Sequence, residues 1–343
     1  WAAMKGREAL KLDWDGGPNA DYDSTAYRST MQAAGNKPGK VIRNTGDVDA
    51  AMRVAAKTLR ADYYLPHLTQ AAMEPPAATA RVTAGKCEVW GCFQSPQAVR
   101  TDISKRLGLD TANVTVNVTL LGGGFGRKSK GDFATEAALV AKELDGKPVK
   151  VVWTREDDLR HSYYHTVSLE HLEAALDAGG KPTAWLHRSV GPTLMALFMP
   201  DPKVESAIEI GMGLANVPFV VPNLRVENPE AAAHVRVGWY RSVSNIPHAF
   251  AVHSFVDELA HAGGRVRPRH GEAAGDVGLD LRSEAQQEPS FGEGVEVVGG
   301  GGERHGGAGE GHGDPGAELD ALGVLGGQRE GEERVVVGLR RPQ

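Results

Sequence analysis

The stretch that decides the fold is Asn113-Val-Thr-Val-Asn-Val-Thr-Leu-Leu-Gly-Gly-Gly-Phe-Gly-Arg-Lys-Ser-Lys-Gly-Asp-Phe-Ala-Thr-Glu-Ala-Ala-Leu-Val-Ala-Lys-Glu-Leu144. Its first part has an apolar residue at every second position, namely Val114, Val116, Val118 and Leu120. This alternation is typical of a strand with one buried face. Apolar residues then recur at helical spacing between Phe133 and Leu144. The sequence therefore predicts a strand and a helix that are joined by a run of glycines.

The joint between this strand and this helix is Gly-Gly-Gly-Phe-Gly-Arg-Lys, residues 122–128. Glycine tolerates positive φ angles and exposes backbone N–H groups, which suits an anionic or oxo-bearing ligand. A G-x-x-x-x-G-K-[ST] phosphate loop does not fit, because Arg127 separates Gly126 from Lys128. The G-x-G-x-x-G fingerprint fails because it would require Gly at the position of Arg127. A phosphate- or nucleotide-binding loop of another kind and a tight exposed turn stay open as alternatives.

Cap and turn signals divide the rest of the chain into helices and strands. Asp47 is a good N-cap for a helix that we expect to reach Leu59, and Ser95-Pro96 starts a helix that ends at Gly108. The other expected elements are strands over 61–67, 77–82, 86–93, 149–153, 167–175 and 182–190, a short helix after a capping box at Thr154, and a helix over 247–260. Together they predict an α+β fold of mixed sheets with packed helices.

Residues 265–343 differ in composition from the rest of the chain. They hold 20 of the 43 glycines, no Lys, Asn, Ile, Thr, Tyr, Trp, Met or Cys, and no apolar periodicity. Their 9 basic and 15 acidic residues account for the whole net charge of −6. The body is therefore neutral and lacks the basic field that nucleic-acid binding needs. We expect a low-complexity tail that is either disordered or the product of a frameshift.

Signals for compartment and redox chemistry are sparse. No run of 18 apolar residues is present, and the first ten residues lack both an initiator Met and the apolar core of a signal peptide. We therefore expect a fragment of a bacterial protein whose compartment, cytoplasmic or periplasmic, is open. Cys87 and Cys92 lie an odd number of positions apart in one expected strand, so they would point to opposite faces. This favours two small buried residues over a disulfide or an iron–sulfur site.

Three segments occur together in an order that resembles a known family. They are Phe93-Gln94-Ser95-Pro96-Gln97, the glycine loop at 122–128 and Tyr240-Arg241-Ser242-Val243-Ser244-Asn245. Together they resemble the molybdopterin-binding subunit of the xanthine dehydrogenase and aldehyde oxidase family, most closely the isoquinoline 1-oxidoreductase beta subunit. The resemblance covers residues 1–264, and the Gly-Gly-Gly-Phe-Gly-x-Lys core is its most specific part.

The resemblance implies a set of cofactor-binding residues, which are Gln94, Gly123, Gly124, Phe125, Gly126 and Arg241. Gln94 would face an oxo ligand of molybdenum, and Phe125 and Gly126 would act through their backbone N–H groups. Arg241 would contact the cofactor region with its guanidinium fork. The structural alternatives are a surface glutamine, an apolar plug in a turn and a surface arginine. Ser129 stands where xanthine-specific relatives have a glutamate, which argues against xanthine as the substrate.

Side chains that could bind a metal are few. In the resembled family the pterin dithiolene holds the molybdenum, so no metal ligation by side chains is expected. His161 and His165 are four positions apart and could share a helix face, but no third ligand is evident. His67 and Glu74 resemble a family segment beside the active-site entrance, although a structural pair in a loop is the better interpretation.

The resemblance also implies cofactors, partners and domains. The expected cofactor is molybdenum–molybdopterin in its cytosine dinucleotide form, and the expected partner is a small protein with [2Fe–2S] clusters. Substrates would be small N-heteroaromatics or aldehydes, with no nucleic acid and no membrane span. We expect a linker or arm over 1–45 after an absent hammerhead domain, an incomplete first molybdopterin-binding domain over 46–264, and the tail over 265–343. The family's catalytic glutamate lies in a second domain that is absent here, so no base is named and the fragment is expected to be inactive alone.

Overall fold

The computed structural model describes residues 1–144 and 146–264, together with the backbone of residues 280–281. The helices are α1 (Ala2–Glu8), α2 (Ser24–Gly35), α3 (Val48–Arg53), α4 (Pro96–Leu107), α5 (Asp132–Lys142), α6 (Arg155–Arg160), α7 (Ala207–Ile210) and α8 (Asn245–Ala262). The strands are β1 (Lys40–Thr45), β2 (Lys57–Leu65), β3 (Ala77–Thr83), β4 (Lys86–Gly91), β5 (Val114–Val118), β6 (Val149–Val152), β7 (Ser168–Leu176), β8 (Pro182–Val190), β9 (Phe219–Val220), β10 (Asn223–Asn228) and β11 (Asp280–Leu281).

The larger sheet has five strands in the order β1-β10-β8-β7-β2. Its pairs are antiparallel except for β10 with β8, which run parallel. Helix α8 packs on one face, where the Phe255 and Trp185 rings meet edge to face with 5.2 Å between their centroids. Leu172 and Leu214 are fully buried in the same core. Among the described residues this core is the largest apolar cluster, and it joins the five-stranded sheet to α8.

The second sheet has four strands in the order β5-β4-β3-β6. Helices α4 and α5 pack on it, and Val89, Ile103 and Phe133 are fully buried in the core between them. Strands β4 and β5 run parallel with Gly91 opposite Val118, so α4 is the crossover between them. Because parallel strands end at the same edge of a sheet, the segments that follow β4 and β5 emerge side by side.

The structure confirms the predicted α+β class and most of its local signals. The turn between β3 and β4 uses Ala84 and Gly85 at positive φ angles of 48° and 76°, as a tight hairpin requires. Helix α4 ends at Gly108 in the left-handed conformation. In the capping box, the side chains of Thr154 and Asp157 each accept a hydrogen bond from the other's backbone N–H.

Two predicted elements differ from the structure. The helix after Asp47 ends at Arg53 instead of Leu59, because the chain from Lys57 onward pairs with β7 over the 9 residues of β2. Tertiary pairing here outweighs a weak helical propensity. Strand β5 ends at Val118, and Leu120 is 96% exposed, so the predicted buried face is restricted to the start of the strand.

Residues 24–45, which we predicted as part of a surface arm, are folded onto the body. Helix α2 buries Tyr27 and Met31 in a core with Leu169 and Val190, and β1 pairs with β10. The polar composition hid these elements because only one face of α2 is buried. The preceding residues 1–23 are largely exposed. The division of the chain into domains at residues 46 and 264 stays a prediction.

The predictions for the tail, disorder or a frameshift over 265–343, lie outside the described residues. The backbone of Asp280 and Leu281 pairs with β9. Within the described part of the chain, no helix has both the length and the apolar character that crossing a bilayer demands.

A cluster of polar side chains is buried beside β7 and β8. Glu170 Oε2 accepts a hydrogen bond from His187 Nε2 at 2.8 Å. Glu205 Oε2 lies 3.9 Å from His248 Nε2 and has no hydrogen-bond partner among the described residues. Burial raises the pKa of Glu205 well above its usual 4.5, and the charges of Glu170 and Glu209 raise the pKa further. Glu205 is therefore protonated in the folded protein well above the pH at which an exposed glutamate ionises.

Replacing Glu205 with Gln tests this protonation. Because the folded-state pKa is raised, the stability that the neutral acid contributes is fully present below pH 4.5 and is lost as the pH rises toward the folded-state pKa. Gln is neutral at every pH, so its contribution to stability does not fall as the pH rises. We therefore expect the free energy of unfolding of Glu205→Gln, relative to that of the protein without substitutions, to increase by about 1.4 kcal/mol per pH unit above roughly pH 5. Urea unfolding at several pH values measures the gain. The exposed Glu143→Gln is the control, and an equal trend in both variants would contradict the assignment.

Candidate functional site

The glycine loop, residues 122–128, leaves the sheet after β5 and ends in a single 3-10 turn before α5. Four of its backbone carbonyls accept hydrogen bonds: Gly122 O accepts from Glu74 N at 3.0 Å, Gly124 O from Arg127 N at 2.9 Å, Phe125 O from Arg241 N at 2.9 Å, and Gly126 O from Ser129 N at 3.2 Å. The loop is therefore fixed mainly through its carbonyl oxygens, and Gly123 O is the one carbonyl of residues 122–126 without a hydrogen bond among the described residues.

Three successive N–H groups of the loop are available to a ligand. The N–H groups of Gly123, Gly124 and Phe125 donate to no acceptor within residues 1–144 and 146–264. Positive φ angles at Gly123 (94°) and Phe125 (53°) produce this arrangement, and φ is uncommon in that range for a phenylalanine. Successive unbonded N–H groups form a concave site for an anion or an oxo group. The side chain of Phe125 is 42% exposed beside them.

Gln94 lies directly against this loop. It follows β4, and its Oε1 accepts a hydrogen bond from Gly126 N at 3.0 Å. A Cβ atom on Gly124 would lie 2.4 Å from that oxygen, so the contact requires glycine at position 124. The bond to an N–H donor identifies the oxygen of the amide and leaves Nε2 as a donor without a partner among the described residues. This arrangement differs from our expectation for Gly126, because its N–H group is already bonded to Gln94.

The segment that contains Arg241 borders the other side of the loop. Arg241 N donates to Phe125 O at 2.9 Å, and the side chain of Arg241 is exposed. A Cβ atom on Gly126 would lie 2.2 Å from Trp239 O, which shows how closely the two backbones approach. Ser242 and Val243 have positive φ angles of 75° and 47°. Such strain in a β-branched residue persists only where the surroundings impose it, and it is typical of functional sites.

The turn that follows the glycines is held by buried charges. Arg127 is 1% exposed and forms two hydrogen bonds of 2.9 Å with Asp132, and its guanidinium carbon lies 5.1 Å from the centre of the Trp153 ring. Lys128 is fully buried, and its Nζ donates to Glu74 Oε2 at 2.8 Å. The first pair ties the turn to the start of α5, and the second ties the end of the glycine loop to the segment between β2 and β3.

Ser129 contributes to the loop structure as well. Its hydroxyl donates to Gly126 O at 2.6 Å. The position that carries a glutamate in xanthine-specific relatives thus serves here to close the turn.

Three residues near the site were missed or undervalued by the sequence analysis. Glu74, interpreted as part of a structural pair, accepts hydrogen bonds from Gly122, Lys128 and Cys92. Cys92 is buried as predicted, and its thiol donates to Glu74. Cys87 lies in the apolar core instead, where burial raises the pKa of its thiol to about 11. Gln70 is buried and its Nε2 donates to Trp239 O at 2.7 Å. Of the partners in these contacts, only Gly122 and Lys128 lay within a motif that the sequence marked.

The histidines near the site support the backbone. His165 is buried and its Nε2 lies 3.3 Å from Val243 O, while His67 Nδ1 lies 2.9 Å from His165 O. Burial lowers the pKa of both imidazoles, so both are neutral near pH 7. In the described ranges, His161 and His165 are part of no group of three or more His, Cys, Asp or Glu side chains that could hold a metal ion.

Comparison with known proteins places this fold and this loop in a family. The model of the molybdopterin cofactor-binding domain matches residues 33–265. A nicotinate dehydrogenase polypeptide of Pseudomonas putida is 29% identical over 272 residues, which are 76% of this chain and 22% of that protein. A protein of Gluconacetobacter polyoxogenes that is named membrane-bound aldehyde dehydrogenase (pyrroloquinoline-quinone) is 32% identical over the same length, which is 35% of that protein.

The predicted relationship to isoquinoline 1-oxidoreductase is also found. The beta chain of that enzyme from Brevundimonas diminuta is 29% identical over 56% of this chain and 25% of that protein. The crystal structure of quinoline 2-oxidoreductase from Pseudomonas putida 86 shares the fold, with a TM-score of 0.53 and 20% identity over 74% of this chain and 33% of that chain. The chain therefore belongs to the molybdopterin-binding subunits of the xanthine dehydrogenase family, a family of molybdenum oxidoreductases. It spans about a fifth to a third of the length of the first two curated relatives.

Proposed function

We propose that this chain holds a molybdenum–molybdopterin cofactor at the glycine loop and contributes it to a molybdenum hydroxylase. The N–H groups of Gly123, Gly124 and Phe125 supply three adjacent donors, and Gln94 Nε2 supplies a fourth beside them. Arg241, whose backbone N–H donates to Phe125 O, adds a positively charged side chain to the segment that borders the loop. The single observation that carries the proposal is the set of three adjacent N–H groups that have no acceptor in the described chain, because one oxo group or anion can accept from several of them at once.

The chemistry of this donor set fits the cofactor. Oxo groups and pterin phosphates are acceptors or anions, and the loop offers them donors and positive charge, while four of the five carbonyl groups of residues 122–126 are already hydrogen-bonded. The bound cofactor would supply a metal that activates a water-derived oxygen and takes up electrons. Gln94 would orient this group, because its amide is already fixed by Gly126. The cytosine dinucleotide form of the cofactor is part of this proposal.

We extend the proposal to substrates and partners. Relatives named for nicotinate and isoquinoline favour an N-heteroaromatic substrate, and relatives named for aldehydes favour an aldehyde. Electrons would leave through a small partner subunit with [2Fe–2S] clusters. We assign no general base to this chain, and we propose that residues 1–343 alone bind the cofactor without turnover. The second candidate is binding of a phosphate or nucleotide, which the same three N–H groups favour.

Cofactor content tests the proposed function. The 343-residue chain is produced in a host that makes the cofactor, and molybdenum and oxidised pterin are measured per polypeptide. We expect both in equal amounts. Gln94→Glu should lower both about tenfold, because the carboxylate still accepts from Gly126 N but has lost the Nε2 donors. The exposed Gln97→Glu is the matched control and should load normally.

Two results would reject this function. A folded chain without molybdenum or pterin is one of them. Thermal stabilisation of that chain by inorganic phosphate or a purine nucleotide, but not by a cytidine nucleotide, in the absence of pterin is the other, and it would support the phosphate-binding alternative instead.

A further inference from the structure

The carboxylate of Glu74 connects the two ends of the glycine loop. Glu74 Oε2 accepts from Gly122 N at 2.9 Å and from Lys128 Nζ at 2.8 Å. The backbone N–H of Glu74 also donates to Gly122 O at 3.0 Å, so these two residues are joined in both directions. A Cβ atom on Gly122 would lie 2.6 Å from Glu74 Cβ, and this approach therefore requires glycine at position 122. One side chain thus fixes both the first and the last residue of the loop.

The same connection reaches Gln94 through Lys128. Lys128 O accepts from Gln94 N at 2.9 Å, and Cys92 Sγ donates to Glu74 Oε2 at 3.1 Å. Lys128 is fully buried, and Glu74 supplies the carboxylate to which its ammonium group is paired. A buried ammonium group that loses its partner is strongly destabilising. Glu74 is therefore linked by hydrogen bonds to the glycine loop and, through Lys128 and Cys92, to the segment of Gln94. These bonds do not include the segment of Arg241.

The position of Glu74 is itself fixed. Arg155, at the start of α6, donates to the backbone oxygens of Ala72 and Met73 and pairs with Asp158 at 2.7 Å. Burial raises the pKa of Glu74, but the hydrogen bonds from Lys128, Cys92 and Gly122 outweigh it and lower the pKa to about 2. The carboxylate is therefore ionised at every pH at which the protein would be assayed.

We propose that Glu74 is a positioning residue that holds the glycine loop in the shape in which the N–H groups of Gly123, Gly124 and Phe125 are turned outward. It acts on the ligand only through Gly122 and Lys128. The identity of the ligand rests on the proposed function, whereas the shape of the loop is a property of the chain without ligand. The two can therefore be tested separately.

The first variant is Glu74→Gln, which keeps the size of the side chain and removes its charge. We expect exchange of the Gly122 amide, followed in the peptide over residues 121–126, to rise about tenfold in the cofactor-free chain, because Gly122 N loses a charged acceptor. We also expect molybdenum and pterin content to fall by a similar factor. Asp132→Asn is the matched control, because it breaks the ion pair of Arg127 in the same turn without touching Gly122. This control should leave exchange in residues 121–126 unchanged relative to exchange in the β7–β8 core.

The double variant Glu74→Gln, Lys128→Met covers the case in which the single variant does not fold. It removes both charges, so no unpaired ammonium group remains buried, and we expect a folded chain whose peptide 121–126 still exchanges rapidly. Native-like protection of that peptide in the double variant would overturn the proposal, and so would an equal rise in Asp132→Asn. A chain without substitutions that binds no molybdenum would reject the proposed function alone, because the exchange measurement still decides whether Glu74 fixes the loop.

Discussion

The Gly126→Ala variant is expected to lose about 3 kcal/mol or more of its free energy of unfolding and most of its cofactor content. The φ angle of 98° is unfavourable for any residue with a Cβ atom and costs about 1–2 kcal/mol. The new Cβ atom would also lie 2.2 Å from Trp239 O and 2.5 Å from Trp239 C. A backbone carbonyl cannot move aside as a flexible side chain can, so overpacking adds about 1–3 kcal/mol. The segment of Arg241 would have to shift, and the bond from Arg241 N to Phe125 O would break.

Gly108→Ala is the matched control for this prediction. Gly108 also has a positive φ angle, 69°, but a Cβ atom there meets nothing within 4 Å. We therefore expect it to cost about 1 kcal/mol and to leave cofactor content unchanged. Urea unfolding of both variants measures the difference, and equal losses would show that the approach of Trp239 contributes nothing.

The Asp132→Ala variant is expected to lose about 3–5 kcal/mol, because it leaves a buried guanidinium group without its carboxylate. Arg127 is 1% exposed, and both of its hydrogen bonds to Asp132 are 2.9 Å long. The Nε atom of Arg127 already lacks a partner among the described residues, so no neighbouring acceptor is in position to replace the carboxylate of Asp132. The rings of Trp153 and Tyr163, at 5.1 Å and 5.5 Å from the guanidinium carbon, also keep water away from it.

A surface ion pair provides the comparison for Asp132. Arg81 and Glu88 are 2.9 Å apart, but their side chains are 51% and 34% exposed. We expect Glu88→Ala to cost no more than about 1 kcal/mol, because solvent screens this pair. The double variant Arg127→Met, Asp132→Ala should recover most of the loss by removing the unpaired charge. If it is as unstable as Asp132→Ala, the penalty arises from packing and not from the buried charge.

The elements that the sequence predicted well are those specified by neighbouring residues. Gly108, the Ala84-Gly85 turn and the Thr154 capping box each act within a few positions, and all three are present in the structure. The helix after Asp47 was overextended because pairing between β2 and β7 decides the state of residues 57–59. That pairing joins positions more than a hundred residues apart, and no local pattern reports it.

The same distinction between local signals and long-range contacts applies to the candidate site. The glycine loop and Gln94 were recognised from short motifs, and the parallel pairing of β4 with β5 brings them together. Their proposed contacts with a cofactor remain predictions. The contribution of Glu74 was not apparent, because its partner Gly122 lies 48 positions further along the chain. An exposed loop glutamate and one that accepts three hydrogen bonds look alike in a sequence.

The segments around the glycine loop are also widely separated in the order of synthesis. Gln94 meets Gly126 across 32 positions, and Gln70 meets Trp239 across 169. Long closures cost more entropy than local ones and form late in folding. Until the nascent chain has emerged as far as Trp239, the segment that packs against Gly126 is missing. We therefore expect the cofactor to enter a domain in which the segment of Trp239 is already in place, and not to act as a template on which the domain folds.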